Sequence, residues 1–501
     1  MKIITRNWAV LLNLLLFVAL AGCSSSKDAP DVPEDSPSLL LNLTINGVSA
    51  DIDPNTLEVN VVLPGVSDFT HLVPSYKVTQ GYVRIGSQDI NSGQTVVDFS
   101  KPVTLTTVNG NAQKNYKVTV RNTGLPVVEI KTVSEVKSKD VWQEGATMTI
   151  RLADGTIDFE GPMSIRGRGN STWNYPKKPY ALKLEKKSEI LKMPKHKRWI
   201  LLANWKDRTL LRNDAAFWLS KQTDMAYTVR GEFVELVMNG KLMGNYYLCE
   251  QIKIDKNRLD IAEMEPKETD EALISGGYLM ELDTYYDEVN KFKSEKFNLP
   301  FQFKQPDEEE LSSEAYYYMR NYISQLEEIL ADEKRLQNHE YEKYLDVDSS
   351  IDWFFVHELA TNTEPYSSYP WTGPHSCYMY KDRDGKLMSG PVWDFDYHGF
   401  CPQFANQWQC NKAIYYGALL KDEKYRKRMR ERWDMLKVKF QELPKYIDQK
   451  VKEIGLSESV NIKMWPINNS ENGDENMTYE QAIERMKKAF QTKFEFMDKN
   501  L

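Results

Sequence analysis

The spacing of apolar residues changes along this chain, and that change constrains the fold more than any single motif. From Leu39 to Val120 the apolar positions fall in short runs, Leu57 to Leu63, Tyr82 to Ile85, Val103 to Val108 and Asn115 to Val120, with Gly, Pro, Asn and Asp between them. β-prone runs of that length, broken by turn residues, predict an all-β sandwich of Ig size. From about Pro126 to Leu501 strands and helices mix, strands first and helices later. A chain of 501 residues, 41% of them hydrophobic, can bury a separate core for each part. The expectation is a multidomain protein, with an Ig-like sandwich over residues 38–124 and an α+β domain over 125–501 that ends in helices.

The start of the chain reads as an address rather than as structure. Lys2 and Arg6 precede a mostly apolar run, Trp8 to Leu20, and Leu20-Ala21-Gly22-Cys23 closes it. A run of about 13 residues is too short to span a bilayer core as a helix, which takes about 20. Residues 1–23 therefore read as an export signal. The Leu-Ala-Gly-Cys ending resembles a bacterial lipobox, which implies cleavage before Cys23, diacylation of its thiol and a lipid-anchored place in the cell envelope, at the outer membrane or cell surface. A secretory peptide with a chance Cys is the other reading. Residues 24–37 lack apolar periodicity and read as a solvated tether. In layout, the β-rich part after it resembles the small Ig-like modules that stand between lipid anchor and catalytic domain in bacterial surface lipoproteins, so its expected role is that of a spacer.

Charge and residue usage remove several classes of function. The formal charge is −8, or −10 once Lys2 and Arg6 leave with the signal, so no overall field draws the chain to phosphate backbones, and nucleic acid is not an expected partner. The string His357-Glu358-Leu359-Ala360-Thr361 lacks the second His of a zincin helix, and neither a Gly-x-Ser-x-Gly elbow nor a Walker-type Gly-Lys-Ser/Thr occurs. In an exported protein Cys401 and Cys410 could close a small disulfide loop or remain separate thiols. Cys249 and Cys377 lie in apolar runs and read as core residues.

Within the second part, Phe233 to Val237, Asn239-Gly240 and Tyr246-Tyr247-Leu248 predict a hairpin, since Asn-Gly supplies the positive φ values of a type I′ turn. A helix is expected over Asp207 to Gln222 with Asp207 as its cap, and others near Ser313 to Leu330, Ile351 to Thr361, Lys421 to Phe440 and Tyr479 to Asn500.

Three segments depart from scaffold composition. The first is Arg166-Gly167-Arg168-Gly169-Asn170-Ser171, followed by Lys177, Lys178 and Lys183. Its glycines let backbone N–H groups approach an anion and its cations concentrate positive charge, so it reads either as a phosphate cradle or as a solvated basic hairpin. The second is Val392-Trp393-Asp394-Phe395-Asp396, where two acids two residues apart share one side of an extended chain, as a hard cation such as Mg²⁺ accepts; an acidic turn that caps its own backbone is the alternative. The third, Glu358 to Tyr366, leaves Asn362 and Glu364 in a loop after a helix.

Taken together, Arg-Gly-x-Gly-Asn-Ser-Thr-Trp with Pro-Lys-Lys-Pro-Tyr, Trp199 to Asn204 with Leu211-Arg212-Asn213, Gly244 to Gln251 and Val392 to Asp396 resemble the CotH family of atypical spore-coat kinases and their bacterial surface relatives, over about Val128 to Ala418. The resemblance implies a kinase-like α+β fold that uses ATP with Mg²⁺ or Mn²⁺ to phosphorylate a hydroxyl of an envelope or surface protein, or of another envelope acceptor. It implies that the loop Arg166, Gly167, Arg168, Gly169, Asn170 and Ser171 covers the phosphates, that Lys183 or Lys178 reaches them, and that Glu250 and the chain after it face adenine. Asp394 would hold the metal as the Asp of a kinase Asp-Phe-Gly motif does, with Asp396 assisting, and Glu364 would stand with Asn362 in the catalytic loop. Two positions depart from the family pattern. Glu364 occupies the place of the catalytic Asp, and Ser376 the place of a metal-binding Asn. Both leave room for a second reading, a kinase fold that has lost catalysis and binds a surface glycan or protein. A third, a glycoside hydrolase, is suggested by the 12% aromatic content, but no acid pair can be named for it.

Overall fold

The computed structural model describes residues 36–368, 371–467 and 472–501. The export signal, Cys23 and nearly all of the tether lie outside the described residues, as does part of the stretch Tyr369-Pro370-Trp371-Thr372-Gly373.

The N-terminal part is all-β. Leu40–Ile45 pairs with Val48–Ser49 and Pro74–Val78 in a three-stranded sheet, and a six-stranded sheet runs Asp51–Ile52, Glu58–Val62, Ala112–Arg121, Val103–Asn109, Tyr82–Ile85, Gln88–Ile90. Alternation decides which side chains turn inward: Val59 and Val61 are buried while Glu58 and Asn60 between them are exposed. They join Leu43, Ile45, Val83, Leu105 and Val118 in one core shared by both sheets. Glu58–Val62 runs parallel to Ala112–Arg121. That mixed pairing departs from the two antiparallel sheets expected of an Ig sandwich.

The second part opens with a closed barrel where a kinase-like α+β lobe was expected. Its seven strands run Val127–Lys131, Gln143–Arg151, Ile157–Gly167, Tyr180–Ile190, Met193–Leu202, Lys241–Glu250, Gly231–Met238, and the last pairs in parallel with the first. Closure pairs the free edge of the hairpin that turns at Asn239-Gly240, both with positive φ. Ile150, Ile165, Leu182, Leu201, Val234 and Leu248 fill the barrel, with Trp199 and Tyr246 as its bulkiest side chains. On strand Tyr180–Ile190, Leu182 and Leu184 point into the barrel, so Ala181 and Lys183 lie on its outer face.

Outside the barrel stand an antiparallel sheet, Lys291–Lys293, Pro300–Gln305, Tyr278–Leu282, Cys377–Lys381, Leu387–Ser389, and the helices. These are α1 Arg212–Lys221, α2 Ser313–Ala331, α3 Glu333–Gln337, α4 Val347–Leu359, α5 Tyr416–Leu419, α6 Glu423–Phe440, α7 Leu443–Met464 and α8 Tyr479–Asn500. α8 begins with a capping box, Thr478 and Gln481 reciprocally bonded, and buries Ala482, Met486, Ala489, Phe490, Phe494 and Met497.

Two local expectations are corrected. The helix expected from Asp207 begins at Arg212, because Asp207 is used as a brace rather than as a cap: its carboxylate accepts from the N–H groups of Thr209 and Arg212, each at 2.9 Å, and pairs with the Arg212 guanidinium. No helix was expected over Leu443–Met464; it forms with Pro444 in its first turn, the place in a helix that tolerates proline. The four described cysteines, Cys249, Cys377, Cys401 and Cys410, are all buried free thiols. Among the described residues no helix is long and apolar enough to cross a membrane.

Candidate functional site

A cleft of about 700 Å³ separates the barrel from the helical part. Its roof is the loop that leaves strand Ile157–Gly167. Two glycines in that loop have steric reasons to be glycine: a Cβ on Gly167 would stand 2.4 Å from the Trp173 ring, and Gly169 has a φ of +82° with Thr172 Oγ1 1.9 Å from where its Cβ would be. Arg166 and Arg198 both lie over the Trp142 ring, each 4.8 Å from its centre. Arg168 crosses the cleft and places its guanidinium 5.2 Å from the centre of Trp393. Lys139 bonds Asn170 Oδ1 at 2.9 Å, and Ser171 also lines the cleft.

The loop is pinned from behind by Lys177. This ammonium is buried and donates to Ala203 O at 2.8 Å, to Asn461 Oδ1 at 2.9 Å and to Asn245 O. Asn461 belongs to α7, so the helix absent from the sequence reading is what anchors the loop. Burial pushes Lys177 down to about 7.

The floor is built from three loops. Asp394 sits at the end of an apolar run in a left-handed conformation, φ +65°, which turns the chain between Trp393 and Phe395 into the core. α1 holds this turn, since Asn213 Oδ1 accepts from Phe395 N at 2.8 Å and Phe217 stacks on Trp393. Glu364 follows α4, and Asn362 ties it to the Asp394 turn. Asn362 is 1% exposed; its Oδ1 accepts from Glu364 N at 3.0 Å, and its Nδ2 donates to Asp394 O at 3.1 Å and to His357 Nδ1 at 3.2 Å. The third loop brings Ser376, whose Oγ donates to Asp394 Oδ2 at 3.3 Å while its N–H donates to Asp283 Oδ2 at 3.2 Å.

Asp283, Glu364, Asp394 and Asp396 therefore face one another across a small space. Burial, then the charges of Asp394, Asp396 and Asp283, push the Glu364 carboxyl well above the usual range, and Glu364 Oε2 has no hydrogen-bond partner. Burial and Asp394 do the same to Asp396. Among the described residues, no group of three or more His, Cys, Asp or Glu is disposed to hold a metal ion by itself. The carboxylates fit Mg²⁺ as it binds in nucleotide sites, through one or two of them with phosphate oxygens and water completing the shell.

Lys183, Lys178 and Glu250 stand elsewhere. Lys183 shares the outer face of Ala181, but lies one pair further along the strand, opposite Ser164 and Arg198, and does not line the cleft. Lys178 donates to Trp173 O at 2.6 Å and braces the roof loop. The Glu250 carboxylate is buried against Tyr227, Arg230 and Arg258, while the chain after it, Gln251 to Lys253, lines the cleft. Asp283 was not expected; the available signal was two acids two residues apart, Glu281 and Asp283, after the apolar Tyr278-Leu279-Met280, the pattern that marked Asp394 and Asp396. The cleft also holds a Lys–Glu pair that sequence reading missed, Lys304 with Glu281 at 3.2 Å and with Glu288.

Comparison with known proteins gives two family matches. Residues 165–497 match the model described as CotH kinase protein, and residues 40–120 match one described as SGBP, N-terminal. No curated protein matches. Among solved structures, a Bacteroides thetaiotaomicron protein described as a "putative glycoside hydrolase" is 20% identical with a TM-score of 0.16. The match covers 35% of this chain and 54% of that one, so this chain spans about half of its length.

Proposed function

Because the chain belongs to the CotH kinase family, we propose that it is a phosphotransferase that moves the γ-phosphoryl group of ATP to a hydroxyl of an envelope protein or other envelope acceptor, from a lipid anchor on Cys23. The observation that supports this most is that the Arg166–Ser171 loop and the carboxylates of Glu364, Asp394 and Asp396 line one cleft. Each group then has a task. The glycine-permitted backbone of the roof loop and the Arg168 guanidinium bind phosphate oxygens. Asp394 and Asp396 would hold Mg²⁺ or Mn²⁺, which offsets the charge on the phosphates when bound. Gln251 to Lys253 offer backbone groups to the base. Glu364 takes the proton from the acceptor hydroxyl as the new O–P bond forms and the bond from the γ-phosphorus to the bridging oxygen breaks, releasing ADP.

Glu364 is the longer homologue of the expected Asp, and burial among like charges raises its carboxyl well above the usual range, which disfavours the carboxylate. It acts as a base only when those charges are offset. That dependence supports the second reading, a binding protein of the same fold without turnover. Exchange of Asp394 for Asn tests the metal assignment on which the first reading rests: Asp394→Asn should lose Mg²⁺-dependent ATP binding and melt near the wild-type temperature. Equal ATP affinity in the two proteins with Mg²⁺ present would overturn the assignment.

A further inference from the structure

A second cavity of about 480 Å³ lies away from the cleft, between Pro194 on the barrel, the segment after α1 and the loop 256–260. Four cationic side chains line it, Lys221, Arg230, Lys256 and Arg258. Two anions oppose them: Asp260 in the lining, and Glu250 behind it, which pairs with Arg230 at 2.8 Å and Arg258 at 2.6 Å. Two positive charges are left in excess. Arg258 is 3% exposed, yet its Nε and Nη2 have no hydrogen-bond partner, although one face of the guanidinium is covered by Trp199 at 4.8 Å. Buried guanidinium N–H groups without acceptors cost free energy that an oxygen ligand would recover. The surroundings add to the field, since Lys192, Lys195 and Lys197 stand exposed on either side of Pro194 in a chain whose formal charge is −8.

We propose that this cavity is an anion site that takes a phosphate dianion, free or as a monoester. The Nε and Nη2 edge of Arg258 suits two oxygens of one tetrahedral anion, Arg230, whose own fork is engaged by Glu250 and Asn257 O, adds charge alone, and Lys221 and Lys256 close the open side as point charges. Thr228 and Asn257 add neutral polar groups to the lining. The site shares no lining residue with the cleft, and it stands whether or not the cleft transfers phosphate.

Calorimetric titration of the full chain with inorganic phosphate and with O-phosphoserine tests this. The variants are Lys221→Glu/Lys256→Glu, both at exposed positions so that folding is kept, and Arg168→Ala as a control for the cleft. Binding should be seen for the wild type and for Arg168→Ala, and be weaker by a factor on the order of ten or more in the double variant. Tighter binding of O-phosphoserine identifies an ester as the ligand, and equal binding the free ion. No binding by the wild type, binding insensitive to the double variant, or binding lost in Arg168→Ala would each overturn the proposal.

Discussion

Asn362 is the point where the catalytic-loop expectation meets the fold, and replacing it with Ala separates scaffolding from chemistry. Every polar atom of the Asn362 amide is used inside the protein, toward Glu364 N, Asp394 O and His357 Nδ1. Burial holds His357 neutral, down to about 3, so its Nδ1 is available as an acceptor. Asn362→Ala leaves three groups without a partner, one buried and two half-buried. At about 1 kcal/mol for each, the low end for a stranded buried group, the loss is about 3 kcal/mol, which for a domain of this size lowers the melting temperature by about 4 °C. The carboxylates of Glu364 and Asp394 also lose their shared tether, and a displacement of about 1 Å in such a site costs on the order of 10² in turnover. Scanning calorimetry beside phosphoryl-transfer kinetics reads both effects. A variant that melts within about 1 °C of the wild type while losing turnover would refute the reasoning, because the amide would then be acting on substrate rather than on the scaffold.

Glu364→Gln should cut turnover by a factor on the order of 10² or more without lowering the melting temperature, since burial and neighbouring carboxylates already disfavour the charge it removes; Glu364→Asp retaining turnover would show that the loop accepts the shorter reach, and Glu364→Gln turning over as fast as wild type would remove Glu364 from the mechanism. Lys177 gives a pH effect of defined sign. Between its folded value of about 7 and an ordinary lysine value near 10.5, the unfolded chain carries a proton that the folded chain has released, so stability should rise with pH through that window by up to about 1.4 kcal/mol per unit. Denaturation curves of Lys177→Met should lack that rise, and an equal rise in both proteins would place its origin elsewhere. Cys23→Ser should release the protein from membranes, because the proposed anchor is a diacyl thioether on that thiol; retention after a high-salt wash would exclude that anchor.

Much of the second part was legible because its signals are local. Asn239-Gly240 fixes a hairpin by backbone conformation alone, and the apolar face of Tyr479–Asn500 fixes a helix by period. The closed barrel was not legible, because it depends on one parallel pairing, Val127–Lys131 with Gly231–Met238, between segments about a hundred residues apart. Lys183 shows the same limit at the site. Its position two residues after Ala181 in a strand is what the family pattern asks for, but whether a strand lysine reaches a cleft depends on how far along the strand the cleft extends. Asp394 and Glu364 could be singled out because each acid follows the end of an apolar element. Asp283 has a similar signature in the sequence, and the approach of His375 and Ser376 from another loop distinguishes it from an acidic turn.

The most direct test of the proposed function is transfer itself. Purified chain with Mg²⁺ or Mn²⁺ and γ-labelled ATP, incubated alone and with envelope extract, should pass label to itself or to an acceptor, and Asp394→Asn should pass none under the same conditions. A wild-type protein that binds the nucleotide tightly but transfers no label to either target, with either metal, would contradict the phosphotransferase account.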